Sequence, residues 1–354
     1  MAQEARQRTL DTDNLTALEA FLATSLSASK VVVKEAKLLG GGAIQENWRL
    51  DVDVADGPRA GSHTWVMRTD AAAVLSLSLD RASEYAVLQA AHSAGARAAE
   101  PIARCEDRDV VGAPFLVQGF AEGTAQARKI VRDPDLATWG GALAGDLAQQ
   151  LARVHGVRPS SANISALPVP IGNPAQQEVA KFRGALDGSP EPRPALEYVL
   201  CWLNENATFF KGELALIHGD FRTGNYLVDG GRLTAILDWE FSHWGDPDED
   251  IGWFCANCWR FGNAHLPAGG IATYSEFISA YEQAAERKLD PLKLRYWEIM
   301  AAAKWATIAH LQGDRYRKSG ELSVELALTG MMVTELELEA FDGIKAYEAG
   351  KGVY

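Results

Sequence analysis

Cysteine is scarce in this sequence. Only four of the 354 residues are cysteines, too few to hold so long a chain together by disulfides, and so low a content agrees with a reducing compartment. Cys255 and Cys258 form a C-x-x-C pair. Because no second Cys or His pair stands at metal-ligand spacing, we expect this pair to pack inside a helix rather than to bind zinc or carry out redox chemistry.

Long apolar runs are also missing. No stretch approaches the roughly 20 uncharged apolar residues that span a bilayer. Residues 1–8, MAQEARQR, contain no apolar core of a secretory signal. These absences predict a cytoplasmic protein that does not enter the membrane.

Basic residues are the third deficit. The chain has 34 Lys and Arg against 47 Asp and Glu, which gives a net charge of -13, and this charge disfavours nonspecific binding to nucleic acid or to anionic membranes. What is present is ample apolar content, 47% of the residues, enough for a globular core. The length predicts two lobes or domains, and no feature indicates an oligomeric state.

Strand-like segments cluster in the first third of the chain, where β-branched or alternating apolar residues are separated by glycine-bearing turns. The predicted strands are 31–39, 48–54, 64–68 and 114–117. A helix capped by Asp13 precedes them, and a second helix over 78–94 lies between the last two. Residues 119–123, GFAEG, have the composition of a hinge.

The remainder of the chain is mostly helical by its apolar spacing. The predicted helices are 135–154, 194–210, 274–287, 291–311 and 322–347. One β-hairpin interrupts them, because 226–228 and 233–237 flank the turn sequence DGG. We therefore predict an α+β protein with a β-rich N-terminal lobe (1–118), a hinge (119–123) and a mainly helical C-terminal lobe (124–354), the layout of a two-lobed kinase.

The most informative segment is IHGDFRTGN at 217–225, followed across the hairpin by LDWE at 237–240. Phosphoryl transfer needs a carboxylate that orients the acceptor hydroxyl and takes its proton, and oxygen ligands for Mg²⁺. Asp220 and Asn225 have the D-x-x-x-x-N spacing of base and metal ligand in kinases, and Asp238 takes the place of the second metal-binding aspartate. Taken singly, each of these residues fits a turn cap or a strand end equally well. The ordered set of all three favours a catalytic site.

These motifs resemble the aminoglycoside phosphotransferase superfamily, whose H-G-D-x-x-x-x-N and L-D-W patterns stand at 218–225 and 237–239. The resemblance extends over most of the chain. It implies a protein-kinase-like bilobal fold, ATP and Mg²⁺ as cofactors, Asp220 as the catalytic base, and Asn225 and Asp238 as Mg²⁺ ligands. It also implies that the hinge binds adenine through the Gly119 carbonyl and the Ala121 amide. ATP and GTP are not distinguished.

The N-terminal lobe contains matching parts. Arg68 ends the predicted strand WVMR, and Glu84 lies 16 residues later on the next helix, on one stripe with Leu88 and Ala91. A kinase needs such a cation for the phosphates and a helix carboxylate to fix it. Arginine replaces the usual lysine here, which keeps the charge but presents a planar fork. An exposed arginine and a solvated glutamate are the alternative interpretation.

The loop GGGAIQEN at 40–47 fits a phosphate-covering loop, because bare backbone can approach a nucleotide. It lacks the protein-kinase G-x-G-x-x-G, and a glycine run between strands is also typical of an ordinary hairpin turn. The residues predicted to contact the nucleotide are Gly42, Ala43, Ile44 and Gln45.

The acceptor is indicated by the charges. Arg222, two residues after Asp220, occupies the position where many protein kinases place a lysine beside the transferred phosphate, and we predict that it stabilises the transition state. This charge disfavours a polycation at the same place. The acidic run DPDE at 246–249 is interpreted as a helix start, with Asp246 as N-cap, rather than as a patch for a cationic substrate.

The finer pattern is similar to one branch of the superfamily, which contains kinase domains fused to acyl-CoA dehydrogenases and bacterial kinases of 4-hydroxyacyl-CoA esters. The segments that carry this likeness are 41–48, 218–225 and WRFG at 259–262. The branch implies a hydroxyacyl-type acceptor, held by Arg260 with Trp259 and Phe261 unless these residues only pack a helix end. An antibiotic, choline-like or sugar-alcohol acceptor, nucleotidyl transfer, and a non-catalytic nucleotide-binding pseudokinase are the alternatives.

Overall fold

The computed structural model describes residues 10–39, 45–70, 78–162, 164–189, 191–210, 213–318 and 323–354. They form two compact units. The first contains the described residues up to Gly123 together with Thr234–Ser242, and the second contains Thr124–Leu233 and His243–Tyr354. None of the described helices is both long and apolar enough to cross a membrane.

The first unit is built on a five-stranded antiparallel sheet with the strand order β1-β2-β3-β5-β4. Its elements are α1 (Thr12–Ser25), β1 (Val31–Leu39), β2 (Gln45–Val54), β3 (Gly61–Asp70), α2 (Arg81–Ser93), β4 (Pro101–Cys105), α3 (Arg108–Val111) and β5 (Phe115–Gly119). The sequence predicted β1 with its observed bounds but missed β4 and α3. Asp11, not Asp13, caps α1, because Asp11 and Asn14 exchange backbone-to-side-chain hydrogen bonds of 2.9 and 3.4 Å.

The core of this unit follows from strand alternation. Leu50, Val52 and Val54 point to the same face of β2 and are buried together with Trp65 and Met67 of β3. Helix α1 covers this face with apolar side chains spaced one turn apart, of which Leu18 and Leu22 are completely buried.

The chain returns to the first unit at Thr234–Ser242, whereas the sequence predicted that all residues after 123 form one lobe. Backbone hydrogen bonds fix this return: the Ile236 amide donates to the Arg97 carbonyl and the Leu79 amide donates to the Glu240 carbonyl, each at 2.7 Å. Asp238 therefore belongs structurally to the unit that contains β3 and α2.

The second unit is mainly helical. Its elements are α4 (Ala127–Val131), α5 (Leu136–His155), α6 (Pro174–Asp187), α7 (Pro194–Asn206), β6 (Ala215–Ile217), β7 (Tyr226–Asp229), β8 (Arg232–Ile236, which ends in the first unit), β9 (His243–Gly245), α8 (Asp248–Cys255), α9 (Tyr274–Ala285), α10 (Pro291–Lys318), α11 (Val324–Met331) and α12 (Val333–Glu348). Strands β7 and β8 form the predicted hairpin. Gly230 and Gly231 in its turn have positive φ, as a tight hairpin turn requires.

Two helical predictions need correction. The sequence predicted no helix over 174–187, where α6 lies. The predicted helix 322–347 is two helices, α11 and α12, separated at Met332. Gly330 near the end of α11 packs directly on α10, where a Cβ on Gly330 would come within 2.7 Å of the Gly313 Cα. The absence of a side chain at Gly330 therefore allows α11 to pack closely on α10.

Candidate active site

Asp220 lies in the loop between β6 and β7, and three side chains hold its carboxylate. Trp253 Nε1 donates to Oδ1 at 2.8 Å, Asn225 Nδ2 donates to Oδ2 at 2.5 Å, and Arg222 Nε lies 3.1 and 3.2 Å from the two oxygens. The structure thus brings together Asp220, Arg222 and Asn225, as the motif spacing predicts. Trp253, which comes from α8, was not predicted.

Arg222 is held on two sides. Its guanidinium carbon lies 4.5 Å from the centre of the Trp259 ring, a cation–π contact, while its Nε faces Asp220. Gly224 leaves room for it: this residue has φ +111°, and a Cβ there would lie 2.8 Å from Arg222 Nη1. The Trp259 ring therefore supports Arg222.

The backbone of the loop is braced by Asp250, which the sequence analysis did not identify. Its carboxylate accepts the His218 amide at 2.7 Å and the Gly219 amide at 2.9 Å, and His155 Nε2 lies 3.1 Å away. Burial alone raises the pKa of Asp250, but the hydrogen bond and charge of His155, with the His218 contacts, hold this pKa below its usual value. The sequence signal was an aspartate next to the apolar run IGWFC, because a buried carboxylate needs partners.

Two further polar contacts fix the loop. His218 Nδ1 accepts the Asp220 amide at 3.2 Å, which is a bracing contact. Lys304 Nζ donates to the Gly219 carbonyl at 2.6 Å and lies 4.4 Å from the centre of the Trp253 ring. The Trp253 side chain is therefore held between a cation and the carboxylate that it contacts.

We expect Trp253→Phe to lower kcat about tenfold, because the carboxylate of Asp220 loses one of its three donors, and a hydrogen bond to a charged group contributes on the order of 1.5 kcal/mol. Steady-state kinetics measure the effect. Trp202→Phe is the matched control, since that indole also donates to a carboxylate, Glu348, at 3.1 Å. Equal kinetics for the two variants would contradict the assigned role of Trp253.

In the first unit, Arg68 is buried within a network of carboxylates. Its Nε lies 2.9 Å from Glu84 Oε1, and its Nη2 lies 2.6 Å from Asp238 Oδ1 and 3.9 Å from Glu240 Oε1. Burial lowers the pKa of Arg68, but the charges of Glu84, Asp238 and Glu240 outweigh it and raise this pKa. The predicted pairing of Arg68 with Glu84 is present, whereas the exposed alternative is not.

A second buried arginine, missed by the sequence analysis, completes this network. Arg81 of α2 contacts Glu84, and its Nε lies 3.1 Å from Asp70 Oδ1. Burial, followed by the charges of Asp238 and Glu84, raises the pKa of Glu240 to about 7 even though Arg68 and Arg81 oppose the shift. Four carboxylates, those of Asp70, Glu84, Asp238 and Glu240, thus surround the two arginines.

The remaining predicted nucleotide contacts are placed only in part. Gly42, Ala43 and Ile44 lie outside the described residues, so the phosphate-covering loop stays a prediction. Gln45 begins β2, where its Cα pairs with that of Asp70. Gly119 is the last residue of β5, and Ala121 follows it as part of an irregular segment.

The acidic run at the start of α8 is used internally. Lys293 Nζ lies 2.7 Å from Asp246 Oδ2 and 3.0 Å from Asp248 Oδ2, and Arg287 also contacts Asp248. Asp246 Oδ1 accepts the Asp248 amide at 3.0 Å, although the N-cap residue of α8 is Pro247 and not Asp246 as predicted. Asp246 and Asp248 are buried and engaged in these ion pairs, which agrees with the structural interpretation of these two residues.

The structure also shows the surroundings of Arg260 and of the Cys255 and Cys258 pair. Arg260 donates from Nε and Nη2 to the Cys255 carbonyl at 3.1 and 2.7 Å and faces Glu298, so its guanidinium packs the helix end, as the alternative interpretation expects. Cys255 is buried, and this burial raises the pKa of its thiol. Among the described residues, the groups of side chains that could hold a metal do not include Cys255 or Cys258.

The model of the phosphotransferase enzyme family matches residues 35–292. The chain belongs to this family. Solved aminoglycoside phosphotransferases share its fold, and the predicted superfamily and its protein-kinase-like α+β fold class are thereby confirmed. A Ralstonia eutropha protein assigned to these enzymes has a TM-score of 0.74 and 21% identity over 93% of this chain and 98% of its own.

A second solved structure, a thermostable mutant of APH(4)-Ia in a complex with AMP-PNP and hygromycin B, has a TM-score of 0.60 and 15% identity, covering 95% of this chain and all of that chain. APH(2")-IIIa with GDP and kanamycin also has a TM-score of 0.60, at 16% identity, covering 90% and 98% of the two chains. At these identities the likeness shows the fold alone.

Curated relatives have names from another enzyme class. Mouse acyl-CoA dehydrogenase family member 11 is 26% identical over 73% of this chain, and mouse family member 10 is 24% identical over 71%. The matches cover 34% and 24% of those relatives, so the chain spans about a third or less of their length. This finding agrees with the predicted likeness to the branch associated with acyl-CoA dehydrogenases.

Proposed function

We propose that this member of the phosphotransferase family is an ATP- and Mg²⁺-dependent kinase that transfers the γ-phosphate to the hydroxyl of a small molecule. The observation that carries the proposal is the fixed carboxylate of Asp220. A carboxylate offers about four acceptor positions. Trp253 and Asn225 each donate to one oxygen, and the single Nε–H of Arg222 is shared between both oxygens. Three N–H groups thus fix the carboxylate, which can accept one further hydrogen bond from an acceptor hydroxyl and take its proton as the oxygen attacks phosphorus.

Asn225 and Asp238 are the proposed ligands of Mg²⁺. The amide nitrogen of Asn225 donates to Asp220, so the amide presents its oxygen to a cation. The side chain of Asp238 is 37% exposed, although Arg68 beside it is buried. Hard oxygen ligands of this kind fit Mg²⁺, which when bound neutralises charge on the phosphates.

For the nucleotide, we propose that Arg68, oriented by Glu84, binds the phosphates. The ion pair at 2.9 Å supports this role, because a buried guanidinium fixed on one side has its remaining donors directed by the protein. Gly42, Ala43, Ile44 and Gln45 complete the proposed phosphate site, while Gly119 and Ala121 contact adenine.

We propose a hydroxyacyl-type acceptor, neutral or anionic. Arg222 places a positive charge next to Asp220, and the acidic run of α8 is consumed in internal ion pairs, so neither feature favours a polycation. The acyl-CoA dehydrogenase names of the relatives agree with an acyl substrate. An aminoglycoside acceptor is the second candidate, because similar folds bind kanamycin or hygromycin B.

An acceptor screen tests this assignment. Consumption of ATP and of GTP would be measured with 4-hydroxyacyl-CoA esters, free hydroxy acids, kanamycin, hygromycin B and choline. We expect kcat/KM for a hydroxyacyl ester to exceed that for either antibiotic by at least about 100-fold, the discrimination that a site with matched polar groups achieves. Efficient turnover of an antibiotic without turnover of any hydroxyacyl ester would contradict the acceptor class. Nucleotide binding without turnover of any acceptor would favour a pseudokinase.

A further inference from the structure

Three metal-binding side chains meet in the second unit, away from Asp220. They are Glu178 of α6, His243 of β9 and Glu249 of α8. His243 Nε2 lies 3.2 Å from Glu249 Oε2 and 3.9 Å from Glu178 Oε1, and all three ligand atoms lie within 4.8 Å of one another. Both carboxylates are buried, whereas 21% of the histidine side chain is exposed.

We propose that Glu178, His243 and Glu249 bind a divalent transition-metal ion of the Zn²⁺ type. Imidazole nitrogen and carboxylate oxygen are both ligands of such ions. Bonds of about 2.0–2.2 Å place neighbouring tetrahedral ligands about 3.3 Å apart. The separations from His243 Nε2 to the two carboxylates, 3.2 and 3.9 Å, need little adjustment, and the two carboxylate oxygens, which lie within 4.8 Å of each other, would move closer together.

The surroundings of the three residues set the space and the charge available to an ion. A cavity of about 10 Å³ borders the two carboxylates but not His243, and most of its other lining side chains are apolar. Lys181 now contacts Glu178, but its side chain is 48% exposed and can turn into solvent when an ion replaces it. Lys304 lines the same cavity and adds positive charge, which limits the affinity.

A second group with the same ligand types, Glu191, His310 and Asp314, provides a contrast. His310 Nδ1 accepts from Arg193 Nε at 3.2 Å, and its Nε2 lies 2.8 Å from Ser189 Oγ, so both ring nitrogens are engaged. Asp314 contacts two further cations. This group is a network of ion pairs and serves as the matched control.

The proposed ion would brace the loop between β6 and β7 without touching Asp220. His243 pairs in register with Ile217, the residue directly before the loop. Glu249 directly precedes Asp250, whose carboxylate accepts two amides of the loop. An ion bound by all three side chains would link α6, β9 and α8, and it would stabilise the folded protein in proportion to its binding.

Zn²⁺ binding can be measured without nucleotide, so the result is independent of the proposed kinase activity. The full chain would carry Cys201→Ser, which removes an exposed thiol, and would be titrated with Zn²⁺ against a chromophoric chelator in excess Mg²⁺. We expect one ion per chain with Kd of about 1 µM or tighter, and a Zn²⁺-dependent rise in Tm. His243→Gln should weaken binding at least about 100-fold and abolish the rise, because one of three ligands is lost.

His310→Gln should leave both the Zn²⁺ affinity and the rise in Tm unchanged. Glu178→Gln is the second variant, since it keeps the shape of the side chain if His243→Gln perturbs folding, and it should also weaken binding. Equal affinity in the wild type and in either His243→Gln or Glu178→Gln would overturn the site. So would the absence of Zn²⁺ binding in the wild type, which would leave a protonated His243 bridging the two carboxylates.

Discussion

We expect Asp220→Asn to lower kcat by about 1000-fold, the upper part of the range for loss of a general base, while the nucleotide dissociation constant stays within about twofold of the wild type. Asparagine keeps the shape of the side chain and an oxygen that can accept from Arg222 and Trp253. It cannot take the proton of the acceptor hydroxyl. The effect therefore falls on the chemical step and not on binding.

The measurement pairs steady-state kinetics on the preferred acceptor with nucleotide titration by calorimetry. Asp229→Asn is the control, because Asp229 is an exposed aspartate at the turn end of β7, in the strand that follows the catalytic loop. This control should show wild-type values. Wild-type turnover by Asp220→Asn would show that Asp220 is not the base.

Asp238→Asn is expected to have the second largest effect, a loss in kcat/KM of about 100-fold or more at low Mg²⁺. The amide removes the charge of one proposed metal ligand, and a metal ion supplies several kcal/mol of charge stabilisation in the transition state. It also removes the negative charge that lies 2.6 Å from Arg68 Nη2. Raising the Mg²⁺ concentration should restore part of the activity, because only metal affinity responds to added metal.

Activity as a function of Mg²⁺ concentration separates the loss of a metal ligand from the loss of a charge beside Arg68. Glu240→Gln neutralises another carboxylate of the same network, which lies 3.9 Å from Arg68 Nη2. The pKa of Glu240 is about 7, so this carboxylate is already partly protonated at neutral pH. This variant should keep the wild-type Mg²⁺ dependence. If Asp238→Asn and Glu240→Gln show the same Mg²⁺ dependence, Asp238 acts through Arg68 and is not a metal ligand.

The sequence predicted the parts of the site that depend on local spacing. Asp220 and Asn225 are five residues apart in one loop, so the motif alone places them in contact. Arg68 and Glu84 are on neighbouring elements, and the need of a semi-buried carboxylate for a partner predicted their ion pair.

Residues that reach the site through tertiary packing were missed. Trp253 and Asp250 lie in α8, some 30 residues after the loop that they hold. The acidic residues at the start of that helix were explained by helix capping, so no contact with the loop was predicted for them. Arg81 was missed because its buried partners become visible only in the folded network. Residue spacing in the sequence predicts contacts between near neighbours in the chain. It does not predict which distant helix supplies a hydrogen bond.

Mass spectrometry of the acceptor tests phosphoryl transfer most directly. The protein would be incubated with Mg²⁺, the preferred hydroxyacyl acceptor and ATP carrying ¹⁸O in its γ-phosphate. Transfer to the hydroxyl predicts an acceptor heavier by one labelled phosphoryl group, with unlabelled ADP as the second product, and no such product from Asp220→Asn. An acceptor carrying a nucleotidyl group, or ¹⁸O recovered only in ATP or inorganic phosphate, would contradict the proposed reaction.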